Sequence, residues 1–348
     1  PSKAPFDFYT LNYENGLSLY SKNVFIMENC NEILPDYLKF VKGLVDSPDF
    51  SLNISREILQ HNRQLKKIGK NLAKKILSTL EYLLANNREK YKEFWAEFGS
   101  IIKNGIYTDP ANKEKLQDLL IFKSSKSGND NITLAEYFDR MQENQDTIYY
   151  AAGKNVESIE KLPHMEIFKE KDIEVLYFTD KIDEFLISNF NDYKEKKLQS
   201  ISRGEVNFDE KKTEDNEKEE KKADDFKGIL SKIQEILKDA IKEVKISNRL
   251  KNSPVCLISD ESGISIHMEQ ILQESEHANP MFKAWKILEI NPDHKIFKKM
   301  LDFYKTNENA EEVQDISKIL YSQALLLEGL PLDNPIEFSN LISKYIFD

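Results

Sequence analysis

A chain of 348 residues exceeds what one ordinary hydrophobic core organises, so two or three domains are expected. Its 40% apolar and 31% charged residues, with only 11 glycines, describe a folded chain richer in helix than in sheet. A formal net charge of -11 argues against wrapping nucleic acid, whose affinity comes from neutralised phosphates, and no apolar run approaches the roughly 18 residues that cross a bilayer.

Two cysteines, Cys30 and Cys256, are too few for a disulfide framework and fit a reducing, cytoplasmic location, both as buried inert thiols. The start, Pro1-Ser-Lys-Ala-Pro-Phe, has no signal-peptide core, and opening on Pro1 rather than Met suggests a processed chain or a cloned piece.

Residues 17 to 27 alternate and then run apolar, as a strand does on entering a core. The pattern predicts a helix over Leu34–Val45, a turn at Ser47-Pro-Asp49, a loop from Phe50 to Ser55, and a long helix from about Arg56 through Leu84. Within that helix Arg63, Lys66, Lys67, Lys70, Lys74 and Lys75 carry no intervening acid, while Leu65, Ile68, Leu72 and Ile76 repeat at helical spacing. This reads as a solvated cationic face, with a membrane or nucleic-acid site as the alternative.

From Lys90 to Leu120 the pattern is helical, with Tyr91, Phe94, Trp95, Phe98, Ile101 and Ile102 forming a core stripe. After a loop over Ser124–Asn131, strands at 148–152 and 173–178 flank a helical segment, which predicts a βαβ unit and a second small parallel sheet. Residues 209–225 hold nine acids, five lysines and one apolar residue, and read as a connector. Beyond it Phe226, Ile229, Ile233, Ile236 and Leu237 restart helical periodicity, and 244–247 with 255–259 read as a strand pair. The expected fold class is multidomain, α/β followed by α+β. The larger α/β part spans 1–85, a helical connector 86–122, a smaller α/β part 123–208, the charged connector 209–225 and a C-terminal domain 226–348.

No Gly-rich Lys loop, G-x-G-x-x-G, G-x-S-x-G or H-E-x-x-H occurs, so a self-contained active site is not expected. The five histidines lack ligand spacing, and no metal site is expected. The segment Asn53-Ile-Ser-Arg-Glu-Ile-Leu-Gln60 offers an N-cap at Ser55 and presents Arg56 and Gln60 on one helical face. Spacing alone makes these a solvated hydrogen-bonding pair.

Several long blocks alter that estimate. Pro1 to Asp7, Val24-Phe-Ile-Met-Glu-Asn-Cys30, Leu44 to Gln60, Arg140 to Tyr150, Val244 to Pro254 and Leu288-Glu-Ile-Asn-Pro-Asp-His294 closely resemble the ninety-kilodalton heat-shock chaperones. The stop at Asp348 just after the last helix resembles the bacterial HtpG branch.

The resemblance implies a stress-response chaperone whose N-terminal domain, which this chain lacks, binds ATP and Mg, with no cofactor in the present chain. It implies that Arg56 reaches the nucleotide's terminal phosphate when domains close, with Gln60 and Asn53 in support. The general base belongs to the other domain, so turnover by this chain alone is not expected.

Ile264, Met268, Ile271 and Leu272 fall on one predicted helical face after Ser262-Gly263, and such a face either packs into its own domain or stays open to a partner. The resemblance implies contact with non-native client proteins, with Glu184 and Phe185 near the same cleft and Phe185 standing where a Trp is expected.

Two helices close the chain. Val313, Ile316, Ile319, Leu320 and Leu327 repeat in the first, and Asn334 caps the second, which carries Phe338, Leu341, Ile342 and Tyr345. The family implies a four-helix homodimer interface built from them, and co-chaperones are possible further partners. The competing class is a non-catalytic interaction scaffold of the same fold.

Overall fold

The computed structural model describes residues 3–10, 12–48, 50, 63–187, 189–206, 208, 215–274, 282–308 and 310–346, with backbone alone for 215–225 and 346. The chain groups into two units, one of residues 1–122, 129–139 and 185–193, the other of 123–128, 140–184 and 194–348.

In the first unit the apolar stretch expected as one strand folds as a hairpin. Strands β1 (Leu17–Ser21) and β2 (Val24–Cys30) are antiparallel and are joined by Lys22 and Asn23, with φ of 50° and 65°. Positive φ at both central residues is what a two-residue primed turn requires. A third strand, β3 (Leu44–Asp46), pairs parallel with β1, giving the order β2-β1-β3.

The helix expected over Leu34–Val45 is not there. Only one 3-10 turn, Asp36–Leu38, forms, opened by extended Pro35, and it buries Tyr37 and Leu38. Gly43, at φ 147°, then offers its carbonyl to the Ser18 amide at 3.0 Å. A turn leading into a strand thus satisfies a periodic apolar set.

Helix α1 (Arg63–Asn86) buries Leu65, Gly69, Ala73, Leu77 and Leu80, and helix α2 (Arg88–Thr108) buries Tyr91, Trp95, Phe98, Ile101, Ile102 and Ile106. The aromatic stripe is core, as its spacing indicated, except that Phe94 is only half-buried. Asn87 caps α2 by accepting from the Lys90 amide at 3.2 Å. The helical pattern expected to run to Leu120 breaks at a 3-10 turn, Pro110–Asn112, before α3 (Lys113–Leu119). In the same unit Ile121 and Phe122 of β4 (Ile121–Ser124) pair with β5 (Ile132–Thr133), which leads into α4 (Leu134–Asp139).

In the second unit Lys123 and Ser124 pair antiparallel with β7 (Val175–Phe178), and β6 (Thr147–Ala152) lies parallel to both β7 and β9 (Lys196–Ser200). Helices α5 (Val156–Glu160) and α6 (Met165–Glu170) bridge β6 and β7, so the expected βαβ unit is present. Two short elements follow β7 in the chain, α7 (Lys181–Ile187), which passes into the first unit at residue 185, and β8 (Asp192–Tyr193), which belongs to the first unit.

Residues 215–225 of the acidic segment are helical. They continue into Ile236 as α8 (Asp215–Ile236), whose Phe226, Ile229 and Ile233 enter the core. Strands β10 (Glu243–Ile246) and β11 (Val255–Ser259) do not pair with one another as expected. A strand not anticipated, β12 (Lys286–Ile290), lies between them, parallel to β10 and antiparallel to β11. Helices α9 (Ile266–Gln273), α10 (Lys295–Thr306), α11 (Glu311–Leu327) and α12 (Pro335–Ile346) complete the chain.

Among the described glycines of the first unit, the closest approach sits at Gly69, where an added Cβ would lie 2.3 Å from the Ile33 carbonyl oxygen. Alanine normally stabilises a helix interior relative to glycine, so the sign of one substitution tests this contact. Gly69→Ala is expected to lower stability by about 2 kcal/mol in urea unfolding, because backbone must shift to accept the methyl. A gain in stability would show that the α1 approach is looser than this.

Candidate functional site

Helix α9 is buried on its inner face and partly exposed on its outer one. Its N-cap, Ser265, accepts from the Met268 amide at 2.8 Å and donates its hydroxyl to Glu184 at 2.9 Å. Burial raises the Glu184 carboxyl above its ordinary range, against the stabilising Ser265 hydrogen bond. On the inner face Ile266 and Glu269 are buried, and the Glu269 carboxylate takes the Ala284 amide and the Lys286 ammonium, each at 2.9 Å.

Met268, Ile271 and Leu272 share the outer face and are half-buried. Ile264 does not belong to that face. It precedes the cap and packs against the core of its unit, because the helix starts two residues later than its apolar spacing suggested. Phe185, on α7, is 48% exposed.

The residues Asn53, Arg56 and Gln60, with the Ser55 cap, lie outside the described residues. On the described helix α1, Arg63, Lys66, Lys67, Lys70 and Lys74 project from one side and are exposed, opposite its buried Leu65, Gly69, Ala73 and Leu77.

The terminal helices run antiparallel, tied by Lys344 to Glu311 at 2.7 Å and to Asp315 at 2.8 Å, and by Lys318 to Glu337 at 2.6 Å. Asn334 caps α12 by accepting from the Glu337 amide at 3.1 Å. Of the residues expected on an outer face, Ile316 and Leu320 instead sit in the core of their own unit. Ile319, Phe338, Leu341, Ile342 and Tyr345 are half-buried, Leu326 and Leu327 are exposed, and Ile336 is 76% exposed.

The model of the family described as Hsp90 protein matches residues 1–347. The chain belongs to the Hsp90 family. It is 47% identical to the chaperone protein HtpG of Bacillus subtilis (strain 168), 48% to that of Alkaliphilus oremlandii and 47% to that of Clostridium perfringens (strain 13 / Type A). Each comparison covers 99% of this chain and 54% of the relative. The chain therefore spans about half the length of the curated relatives it matches. Among the described residues of this Hsp90 chain, no helix is long and apolar enough to cross a membrane, and no three His, Cys, Asp or Glu side chains gather as metal ligands.

The sequence drew attention to the Ser-Asn-Arg-Leu block only as a resemblance, yet the structure buries its arginine among polar partners in the second unit. Arg249 is fully buried and donates to the carbonyls of Ile201 at 2.5 Å and Gly204 at 2.6 Å, with its Nε 3.0 Å from Glu289. Glu289 also accepts from the Ser247 hydroxyl at 2.6 Å. A buried charge without such partners would be strongly unfavourable. Nearby, Glu166 takes the amides of Lys251, Asn252 and Ser253 and the Ser253 hydroxyl. Burial alone would raise its carboxyl, but these donors hold it below the ordinary range.

Next to this group His164 and Glu328 face one another at 3.6 Å, the histidine fully buried and its Nε2 2.8 Å from the Leu257 carbonyl. Burial lowers His164 to about 3, with the Arg249 charge adding to the effect, and raises Glu328 to about 8. Burial thus favours the neutral form of both side chains, and the His164 Nε2 donates its hydrogen to the Leu257 carbonyl.

The two groups act on opposite sides of neutrality. Glu328 ordinarily titrates at 4.5, so the folded chain keeps a proton that the unfolded chain releases, and the associated stability is lost as pH rises toward 8. His164 ordinarily titrates at 6.5, so its contribution is present above that pH and is lost as pH falls toward 3. Of these two groups it is Glu328 whose protonation differs between the folded and unfolded chain from pH 6.5 to 8, and Glu328→Gln is expected to flatten the fall in melting temperature over that window relative to the unsubstituted protein. Parallel curves in the two proteins would rule out a neutral buried acid at position 328.

Proposed function

We propose that this Hsp90 chain is the client-handling and dimer-forming part of an ATP-driven cytoplasmic chaperone. The observation that carries the reading is α9, a helix fixed from beneath through Glu269 while Met268, Ile271 and Leu272 remain partly exposed outside. Methionine and aliphatic contacts suit partners that share no sequence, as non-native proteins do. The relatives' name, chaperone protein, agrees with that use. Ile264 and Glu184 enter this proposal as residues that support the helix rather than meet the client, and Phe185, exposed on α7, enters it as a further apolar client contact.

In the same proposal residues 1–85 and 123–208 are the two α/β parts of a middle domain, joined by 86–122. The segment 209–225 leads to a dimerisation domain over 226–348. A second copy covers the exposed Leu327 and Ile336 together with Ile319, Phe338, Leu341, Ile342 and Tyr345, in an isologous two-fold interface to which Ile316 and Leu320 contribute from beneath. ATP and Mg bind to a nucleotide domain outside this chain, and co-chaperones are further partners. Arg56, with Gln60 and Asn53, serves that site. A guanidinium delivered from another domain neutralises developing phosphoryl charge only in the closed state, which couples hydrolysis to motion.

Two experiments test the halves of this proposal. Mixed with a nucleotide-binding domain of the family, the chain is expected to stimulate ATP hydrolysis, and Arg56→Ala to reduce the stimulated rate by about tenfold or more. An unchanged rate would favour a non-catalytic scaffold. Met268→Asp with Ile271→Asp is expected to weaken suppression of client aggregation several-fold while light scattering still reports a dimer. Loss of the dimer in that variant would make α9 a structural helix.

A further inference from the structure

We propose that the α9 surface selects client segments in which acidic residues flank an apolar stretch, with Lys154 and Lys181 setting that preference. The inference rests on the reading of α9 above and names the class of segment that its outer face accepts.

The apolar face of α9 is bordered by charge. His267, Ile271 and Glu274 follow one another at helical spacing beside Met268 and Leu272, so the imidazole and the carboxylate lie along the edge of the same face. Lys181, the first residue of α7, reaches Glu274 at 2.6 Å, and both side chains are exposed. The Lys181 hydrogen bond, joined by the charges of Lys154 and His267, holds the Glu274 carboxyl below its ordinary range. Two lysines and a histidine therefore gather about one carboxylate. Lys154, between β6 and α5, is exposed and makes no ion pair among the described residues.

The other charged groups around this helix are occupied. Glu184 is buried and accepts from the Ser265 hydroxyl, Glu269 lies beneath the helix with Lys286, and Arg203 donates to the carbonyls of Glu261 and Gly263 at 2.6 Å. What remains at the edge is Lys154 and Lys181 against Glu274, a local excess of positive charge. An exposed pair such as Lys181 with Glu274 is weak, so Lys181 can turn to a client carboxylate at little cost.

This local sign opposes that of the whole chain. A net charge of -11 favours basic partners at long range. Exposed charges are screened beyond about 8 Å at physiological ionic strength, so a bound segment meets the nearby lysines rather than the distant acids. Apolar contact supplies affinity, and the lysines sort segments of equal apolarity. Net charge and local charge predict opposite preferences, which makes the sign decisive.

The test uses the whole chain and two peptides carrying the same dye and the same Val-Leu-Phe-Ile core, one flanked on both sides by glutamates and the other by lysines, with binding followed by fluorescence anisotropy. At about 0.05 M ionic strength the glutamate-flanked peptide is expected to bind about tenfold more tightly, a difference that shrinks to about twofold at about 0.5 M. Lys154→Glu is expected to cut the low-salt preference to about twofold and Glu274→Gln to widen it. Lys298→Glu, an equal change of net charge at an exposed position of α10, is expected to leave it as it was. A preference for lysine flanks, or one for glutamate flanks that survives Lys154→Glu undiminished, overturns the inference. If Met268→Asp with Ile271→Asp abolishes binding of both peptides and the unsubstituted chain does not tell them apart, charge selection fails and the client reading stands. If that double substitution leaves both peptides bound as before, α9 is not the client surface and both fall.

Discussion

The second unit is arranged around one charge that cannot be left unsolvated. Arg249 has no access to water, and its guanidinium finds replacements for it in Glu289 and in the carbonyls of Ile201 and Gly204. These partners come from three separate places, the strand β12 and the two ends of the turn after β9. A guanidinium presents its donors in a rigid fork, so satisfying it fixes all of those places at once. Replacing such a pair with apolar residues is often neutral or better for stability, so its use here is positional. It sets where the segment after β9 lies against the β10-β12-β11 sheet.

That position carries over to α9. Arg203 comes two residues after Ile201, and its two hydrogen bonds hold the loop at Glu261 and Gly263, just ahead of the Ser265 cap. Glu269 then fastens the helix to the entry of β12, the strand that also supplies Glu289. The same strand therefore anchors the buried arginine at one end and the open helix at the other. An apolar face can stay in water only if its helix is secured by other means. Here the securing contacts are polar, directional and on the opposite side.

Much of this was legible in the residues, and the failures have physical causes. Tyr91, Trp95 and Phe98 repeat at helical spacing over a segment long enough to leave no other reading, and they are core. Leu34, Tyr37, Leu38 and Phe40 have a similar spacing over a shorter segment, but Pro35 and Gly43 break it, and a turn with extended flanks buries the same side chains. Strands β10 and β11 are neighbours in sequence, and adjacency suggested that they pair. The insertion of β12 between them depends on a contact about thirty residues away, in a five-residue segment whose Glu289 conceals its buried character. A carboxylate at a core position is intelligible only once Arg249 is seen opposite it.

The candidate surface shows the same division between pattern and context. Spacing placed Met268, Ile271 and Leu272 on one face, and that much was a property of the helix. It also placed Ile264 there, because periodicity does not know where a helix begins. The cap at Ser265 decides that, and its hydroxyl is committed to Glu184, a residue eighty-one positions earlier. Likewise Ile316 and Leu320 share a period with Ile319 and Leu327, but α11 is flanked on several sides, so two of the four turn inward and two do not. Periodicity identifies which residues leave water somewhere. Which of them wait for a partner is settled by how much of the helix its own unit already covers, and on α9 the covered half is the one that Glu269 and Ile266 occupy.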